Sequence, residues 1–580
     1  MARVAAAVAV AAALFLLHRA HPLGWDELEF FRATKWVSEG RVPFRDFWEH
    51  HTPLQWLVFA PVARFIDSPG AIAVVAMRWA QAVMWVGILA LVLRLAKERA
   101  KWWALVLLLA APLFVRSAVE YRIDVLGNLC FLGALVCAFR QRWIAFGALM
   151  SLAVLANMRV APLVVFTAAL FLFWNERWRW NPGALRMLVG VAAVALPFIA
   201  WLRLAGAWEP FLAGVVRYNV ASSDLLEVDT LREMLLAPFL FPDPAAIVLW
   251  IAALAGAALS IRTPLAIIFL ATVASIAAME VQYEYHFQGA YLLMVPLAAI
   301  ALERISGPPA SRRLSVAASR RHGAGETPAR QPARTPAVHY WLLLAVAASS
   351  ILLHLPRTTE PMRYQDYVMR EVDRRTKPGD RVFDGTGYAL RREPAYRYWF
   401  LPTGIRLVAA AGGVRPYDIA ADPPAAILWN LRMQRWFEIF PRTGAFATRN
   451  YVPLTRDLWV PGLTATLPPG RAFTWTAHAA GTYTLYASEP LARHPWLTQP
   501  LQYAAIQGPP ATRYAIPLRQ LPRARVRWSV DGLPVSGTTV QLRKGARVSV
   551  ASEEARVIGV MLVPADVAVL CVAPGEEFQF

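Results

Sequence analysis

Hydrophobic positions fall into long runs before residue 356 and into short alternating runs after about residue 450. The long runs lie at about 4–17, 70–93, 102–116, 124–139, 143–157, 160–174, 185–205, 244–261, 264–279, 288–303 and 339–355. A helix needs roughly 20 residues to cross the hydrocarbon core, so the shorter runs must extend into their flanks to span it. Residues 143–174 read either as a bent pair or as a re-entrant hairpin. The pattern predicts a mainly α-helical polytopic membrane domain of about eleven transmembrane helices over 1–356. A soluble domain over 357–580 follows.

The helical pattern at Tyr364–Thr376 precedes Pro378-Gly379-Asp380-Arg381-Val382-Phe383, a turn into a strand. Alternating runs such as Gly481–Tyr486 and Arg525–Val530, the latter followed by an Asp531-Gly532 turn, predict a β-rich end. The soluble part therefore reads as α/β over about 357–450 and β-sandwich-like over about 451–580. Trp528 and the aromatics of 474–486 are either carbohydrate contacts or members of a packed core. Residues 304–337, rich in Pro, Arg, Ser, Ala and Gly, read as a disordered cytoplasmic loop.

Charge gives the runs a direction. The net charge is +20, which raises nucleic acid as a partner, but the arginines lie mostly in short loops between apolar runs. With the N-terminus in the cytoplasm, the inside loops carry Arg94, Lys97, Arg99 and Lys101; Arg140 and Arg142; Arg177, Arg179 and Arg186; Arg262; and the arginines of 304–337. This matches the positive-inside rule, excludes a need for nucleic acid and places the C-terminal domain outside. The first run is either a retained helix, the favoured reading, or a signal peptide; both give the same sidedness. The predicted location is the inner (plasma) membrane, in contact with membrane lipids. The content of 57% hydrophobic and 17% charged residues agrees, as do 23 tryptophans, since indoles favour the bilayer interface. Three cysteines in this arrangement form neither a disulfide framework nor a metal motif.

Four polar features then meet on the outer face. They are the loop 24–69, opening Gly24-Trp25-Asp26-Glu27; Glu120-Tyr121-Arg122-Ile123-Asp124; Asn157-Met158-Arg159; and Glu280-Val281-Gln282-Tyr283-Glu284-Tyr285-His286-Phe287. Carboxylates and arginines at one interface suit phosphate binding and proton transfer. Each also has a purely structural reading. Asp26 with Glu29 makes a D-x-x-E capping pattern, Asp124 can cap its helix, and Arg122 and Arg159 can anchor at the interface. Glu49, His50 and His51 raise a metal, but adjacent histidines rarely reach one ion, so no metal and no cofactor is expected; a divalent cation is compatible with the pattern without being required.

At these residues the chain resembles the GT-C superfamily of membrane glycosyltransferases, in particular the aminoarabinose transferases, RgtA/B/C/D-like proteins and protein O-mannosyltransferases. The carrying residues are Asp26-Glu27, Gly40-Arg41-Val42-Pro43-Phe44-Arg45-Asp46-Phe47, His51-Thr52-Pro53-Leu54, Arg122-Ile123-Asp124, and Tyr285-His286-Phe287 with Pro296, over roughly residues 1–300. The resemblance implies an inverting transfer of a sugar from a polyprenyl-phosphate donor to a lipid, glycan or protein hydroxyl. Asp26 would be the general base, with Glu27 and Asp124 as further acidic residues of the site. Arg122 and Arg159 would hold the donor phosphate, and His51, Tyr285 and His286 would support the site. Thr52 stands where many relatives have a second proline, and the first-loop lysine of the aminoarabinose transferases has no certain counterpart, so the sugar stays open. A transporter or flippase, or a non-catalytic scaffold displaying the β domain, are the alternatives; the gathering of ionisable groups at one interface and the lack of an internal repeat disfavour the former.

Overall fold

The computed structural model describes residues 21–173, 183–223, 243–277, 287–306, 337–354, 360–455, 457–488, 515–517, 524–553, 558–566 and 569–571. The first apolar run, most of the loop 304–337, and Tyr285 and His286 lie outside the described residues.

The N-terminal part is helical. Among the described residues, Ala71–Leu95, Gly183–Leu204 and Gln288–Ile305 are long and apolar enough to cross a membrane, and seven apolar helices are shorter. The predicted run 102–116 is broken into Lys101–Ala110 and Pro112–Val119. Pro112 has no N–H to donate and disfavours a helical residue before it; Ala111 accordingly takes ψ 113°. Residues 143–173 form the bent pair: helix Trp143–Ala156, a 3-10 turn at Met158–Val160, then helix Ala161–Phe173. Asn157, extended at φ −149°, makes the bend, and its side chain accepts from the Arg159 N–H at 3.1 Å.

These helices share one apolar core that includes Leu108, Leu135, Phe146, Ala253 and Leu293. Small residues let the backbones close up. A Cβ on Gly256 would stand 1.8 Å from the Leu297 carbonyl oxygen of the neighbouring helix. Gly256→Leu is therefore expected to separate helices Pro244–Leu259 and Gln288–Ser306 and to destabilise by about 1–3 kcal/mol or more, read as a lowered Tm in detergent.

The outer loop is ordered by two helices, Trp25–Ser38 and Leu54–Ala63. Between them Phe44 turns with φ 71° and packs its ring against Trp56 and Phe211.

The soluble part begins with the amphipathic helix Glu360–Arg375 and a five-stranded mixed sheet. Its strands run in the order Glu393–Pro394, Arg381–Phe383, Ala426–Leu428, Leu458–Pro461, Tyr451–Pro453. The first three are parallel and the last two antiparallel to their neighbours. Two four-stranded antiparallel sheets then enclose a common core containing Trp475, Tyr483, Leu485, Trp528 and Val550. Trp528 donates its indole N–H to the Gly537 carbonyl at 2.7 Å, so it belongs to the core reading and not to a carbohydrate surface. Asp531 and Gly532, both at positive φ, form the expected hairpin turn.

The first-loop helix is the hinge of the whole arrangement. Leu28, Phe30 and Phe31 share a core with Phe59 and Met77 on one side and Val368, Val372 and Tyr388 on the other. Gln365 exchanges two hydrogen bonds with the Leu23 backbone, at 2.7 and 2.9 Å. Gly387, at φ 90°, lies so close to this helix that a Cβ would stand 3.2 Å from Leu28. The soluble domain is thus packed directly onto the element that carries Asp26.

Candidate active site

Helix Trp25–Ser38 starts one residue before Asp26, and its start decides the fate of both acidic residues. Gly24 is the N-cap, and the carboxylate of Glu27, at the third helical position, accepts from the Gly24 N–H at 3.2 Å. Asp26 is not the cap, which corrects the D-x-x-E expectation. Glu27 turns inward instead. It pairs with Arg78 at 2.5 and 2.6 Å, both side chains fully buried, and accepts from the Tyr121 N–H at 2.9 Å. Glu27 therefore stands behind the site and holds the 120–124 segment in place. Gln81 adds to that hold by accepting from the Arg122 N–H at 3.0 Å and donating to the Glu120 carbonyl at 3.2 Å.

Asp26 faces outward with 27% of its side chain exposed. Arg122 meets it at 3.2 Å, and the same guanidinium meets Glu120 at 3.0 Å and Asp124 at 3.1 Å. Asp124 accepts in turn from the Asn157 amide at 2.9 Å. One chain of contacts thus links Asp26, Arg122, Asp124 and Asn157, four residues from three separated segments. Arg159 is exposed beside them. It lines a small cavity of about 60 Å³ in which Asp124, Asn128, Asn157, Thr272 and Ser275 stand among apolar residues such as Phe131, Leu163 and Leu293, at the ends of four apolar helices.

A second arginine reaches Asp26 from the soluble domain. Arg432, in helix Leu431–Ile439, lies 3.5 Å from the other carboxylate oxygen. Burial alone would raise the Asp26 carboxyl, but Arg122, then Arg432, outweigh it, and Asp26 is held well below the usual carboxylate range. Neither Arg432 nor Arg78 is foreseen from the sequence. Arg78 carried a signal, a charge inside an apolar run, which is costly unless paired. Arg432 carried none.

A second cluster begins at Glu29, one turn along the same face of the helix from Asp26. Glu29, Glu49, His50 and His51 bring one ligand atom each within 4.8 Å of one another. The expectation that neighbouring histidines diverge does not hold here, because Glu49 gathers them. Its Oε1 accepts from the His50 and His51 backbone N–H groups at 2.8 and 3.3 Å and lies 3.0 Å from His51 Nδ1. Among the described residues Glu49 Oε2 is buried without a hydrogen-bond partner, and His50 Nδ1 lies 3.4 Å from Glu29 Oε1 and 3.3 Å from Glu49 Oε1. Burial and the neighbouring Glu49 push the Glu29 carboxyl well up. Glu49 is also raised by burial, but the hydrogen bonds from His50 and His51 prevail and bring it down to about 2. Burial and then His51 lower the His50 imidazole. Such a set suits either a proton on Glu29 or a divalent cation shared by carboxylates and imidazoles. Trp48 stacks on His50 at 5.2 Å and opens onto a cleft of about 870 Å³ between the loop 24–69 and the C-terminal domain. Arg41, Arg217, Tyr218, Tyr396 and Tyr398 also line it, whereas Asp26 does not.

No family model matches the chain, and no curated protein matches it. Among solved structures the chain is similar to ArnT from Cupriavidus metallidurans in the apo state, at 16% identity and a TM-score of 0.48, covering 79% of this chain and 96% of that one. It is likewise similar to the same protein bound to undecaprenyl phosphate, at 15% identity and a TM-score of 0.46, covering 80% and 92%. Likeness at that level assigns no role to any residue of this chain.

Proposed function

We propose that this chain is a glycosyltransferase of the inner membrane with about eleven spans, a cytoplasmic N-terminus and an extracytoplasmic C-terminal domain. It takes a sugar from a polyprenyl-phosphate donor and passes it to a hydroxyl of an envelope lipid, glycan or protein. The observation that carries the reading is Asp26. It is a partly exposed carboxylate on the helix Trp25–Ser38, flanked by two arginines and joined through Arg122 and Asp124 to a cavity of mixed polar and apolar lining at the ends of apolar helices.

In the proposed reaction Asp26 accepts the acceptor hydroxyl proton as that oxygen bonds to the anomeric carbon. The bond from that carbon to the phosphate oxygen breaks, its electron pair leaves with the polyprenyl phosphate, and the configuration inverts. Arg159, exposed at that cavity, receives the phosphate, and Arg122 helps as its carboxylate contacts rearrange. Asp124 orients Arg122, and His51 adds positive character near Asp26. Tyr285 and His286 keep the supporting roles that the resemblance implies. Membranes holding the full chain should move label from polyprenyl-phosphate sugars into an envelope extract. Absence of transfer from every such donor would overturn the reading.

The reaction as proposed uses no cofactor, because guanidinium groups neutralise the leaving phosphate. A chelator is therefore expected to leave transfer unchanged, whereas a Lewis-acid cation would be worth several kcal/mol of the barrier. Loss of transfer on chelation, restored by a divalent cation, would instead assign a cation to Glu29, Glu49, His50 and His51.

A further inference from the structure

Arg432 belongs to the C-terminal domain, yet it reaches Asp26 and Trp25 of the membrane-proximal site. It follows the central strand Ala426–Leu428 at the second position of helix Leu431–Ile439, which Asn430 caps by accepting from the Met433 N–H at 3.1 Å. That fixes its backbone just beyond the carboxyl end of a strand in the parallel part of the sheet, where α/β domains commonly place functional groups. The guanidinium lies over the rings of Phe400 at 4.2 Å and Trp25 at 4.8 Å. Phe400 is on the soluble domain and Trp25 opens the first-loop helix, so the group is clamped across the two parts. Only 9% of Arg432 is exposed. Among the described residues its one carboxylate partner is Asp26. Among the described residues its Nη1 is buried with no hydrogen-bond partner. An arginine kept only for the domain's own stability would be expected to pair within that domain, as Arg392 does with Asp373 at 3.2 Å.

We propose that Arg432 is a positioning residue for Asp26, through which the docked extracytoplasmic domain sets the orientation and basicity of the base; this rests on the transfer reaction proposed above. The groups facing Asp26 are Arg122 from the 120–124 segment, Arg159 from the bend after Ala156, His51 from the outer loop, Glu29 on its own helix and Arg432 itself. Arg122 binds one carboxylate oxygen and Arg432 the other. With both in place the carboxylate is held at two points. With Arg432 removed, one oxygen loses its partner and the proton affinity of Asp26 rises.

The test compares Arg432→Gln, Arg432→Lys and the exposed control Arg435→Gln in full-length protein, with transfer measured across pH. Asp26 acts as the carboxylate, so a raised proton affinity moves the acid limb of the rate profile to higher pH. The expected shift for Arg432→Gln is about one pH unit, with kcat lowered about tenfold or more. Arg432→Lys keeps the charge but loses the planar fork, so a smaller shift with a lowered kcat is expected. Arg435→Gln should behave as wild type. An unmoved acid limb and an unchanged kcat in both Arg432 variants would overturn the proposal. Should Arg432→Gln fail to fold, Arg432→Lys decides by the same criteria.

A double-mutant cycle in Tm between Asp26→Asn and Arg432→Gln, or Arg432→Lys where Gln does not fold, reads the contact without activity. Non-additive shifts are expected, and additive ones would overturn the proposal. Full activity in Asp26→Asn would instead remove the transfer mechanism, and the cycle would still decide whether the two residues are coupled.

Discussion

Asp26→Asn loses sugar transfer by about 10²–10⁴-fold, the range attached to a general base, while the protein still folds and extracts, with its Tm lowered by the weakened contacts to Arg122 and Arg432. Asn retains the shape and one acceptor oxygen, so the outer-loop helix keeps its Glu27 cap and its packing. What is lost is the capacity to take a proton. The resting Asp26 is a reluctant base, because Arg122 and Arg432 hold its proton affinity down. A donor phosphate entering beside Arg122 and Arg159 competes for the guanidinium charge and frees Asp26 to act as a stronger base. Basicity is therefore greatest when the donor is in place. The acid limb of kcat is accordingly expected at higher pH than that of kcat/KM, which reports the free protein. Asp26→Asn should remove the limb along with the activity. Transfer at the wild-type rate in this variant would remove Asp26 from the chemistry.

Arg78→Met is expected to damage the fold rather than the chemistry. Arg78 and Glu27 are fully buried, and Arg78 also donates to the His21 and Pro22 carbonyls, both at 2.9 Å. Removing the guanidinium leaves the Glu27 carboxylate buried without its counter-charge. Breaking a buried pair from one side costs about 3–5 kcal/mol. The double replacement Arg78→Met with Glu27→Gln should recover much of that loss, since no uncompensated charge remains. Thermal unfolding in detergent measures both variants. A single variant as stable as wild type would show that the pair contributes nothing, and Glu27 would then be open to a direct role in the site.

The contrast between Asp26 and Glu27 shows where the sequence stopped informing. Both are acidic, adjacent and just beyond an apolar run, so composition treats them alike. Successive helical residues point about a third of a turn apart, and here that turns Asp26 to the site and Glu27 to the interior. The phase depends on where the helix starts, and the start depends on Glu27 capping Gly24. The Asp-x-x-Glu pattern pointed to a start two residues later. The gathering of 24–27, 120–124 and 157–159 was legible, because charged loops between apolar runs fix their side of the membrane. The break before Pro112 was also written in the chain, and reading the run 102–116 as continuous missed it. Arg432 was not legible. An arginine in a soluble α/β segment has no periodicity or motif to mark it, and its meaning comes only from docking the domain against Trp25. The convergence of His50 and His51 was equally hidden, since it depends on Glu49 folding back onto its own chain and on Glu29 approaching from the helix.

The central claim is that a lipid-linked sugar is transferred with inversion at a site built on Asp26. The most direct measurement incubates the purified full-length protein with polyprenyl-phosphate sugars of defined anomeric configuration and an envelope extract, then determines the configuration of the product by NMR. The account expects product of the opposite configuration, one polyprenyl phosphate released per sugar transferred, and neither from Asp26→Asn. Product of retained configuration, or transfer that survives in Asp26→Asn, would contradict it.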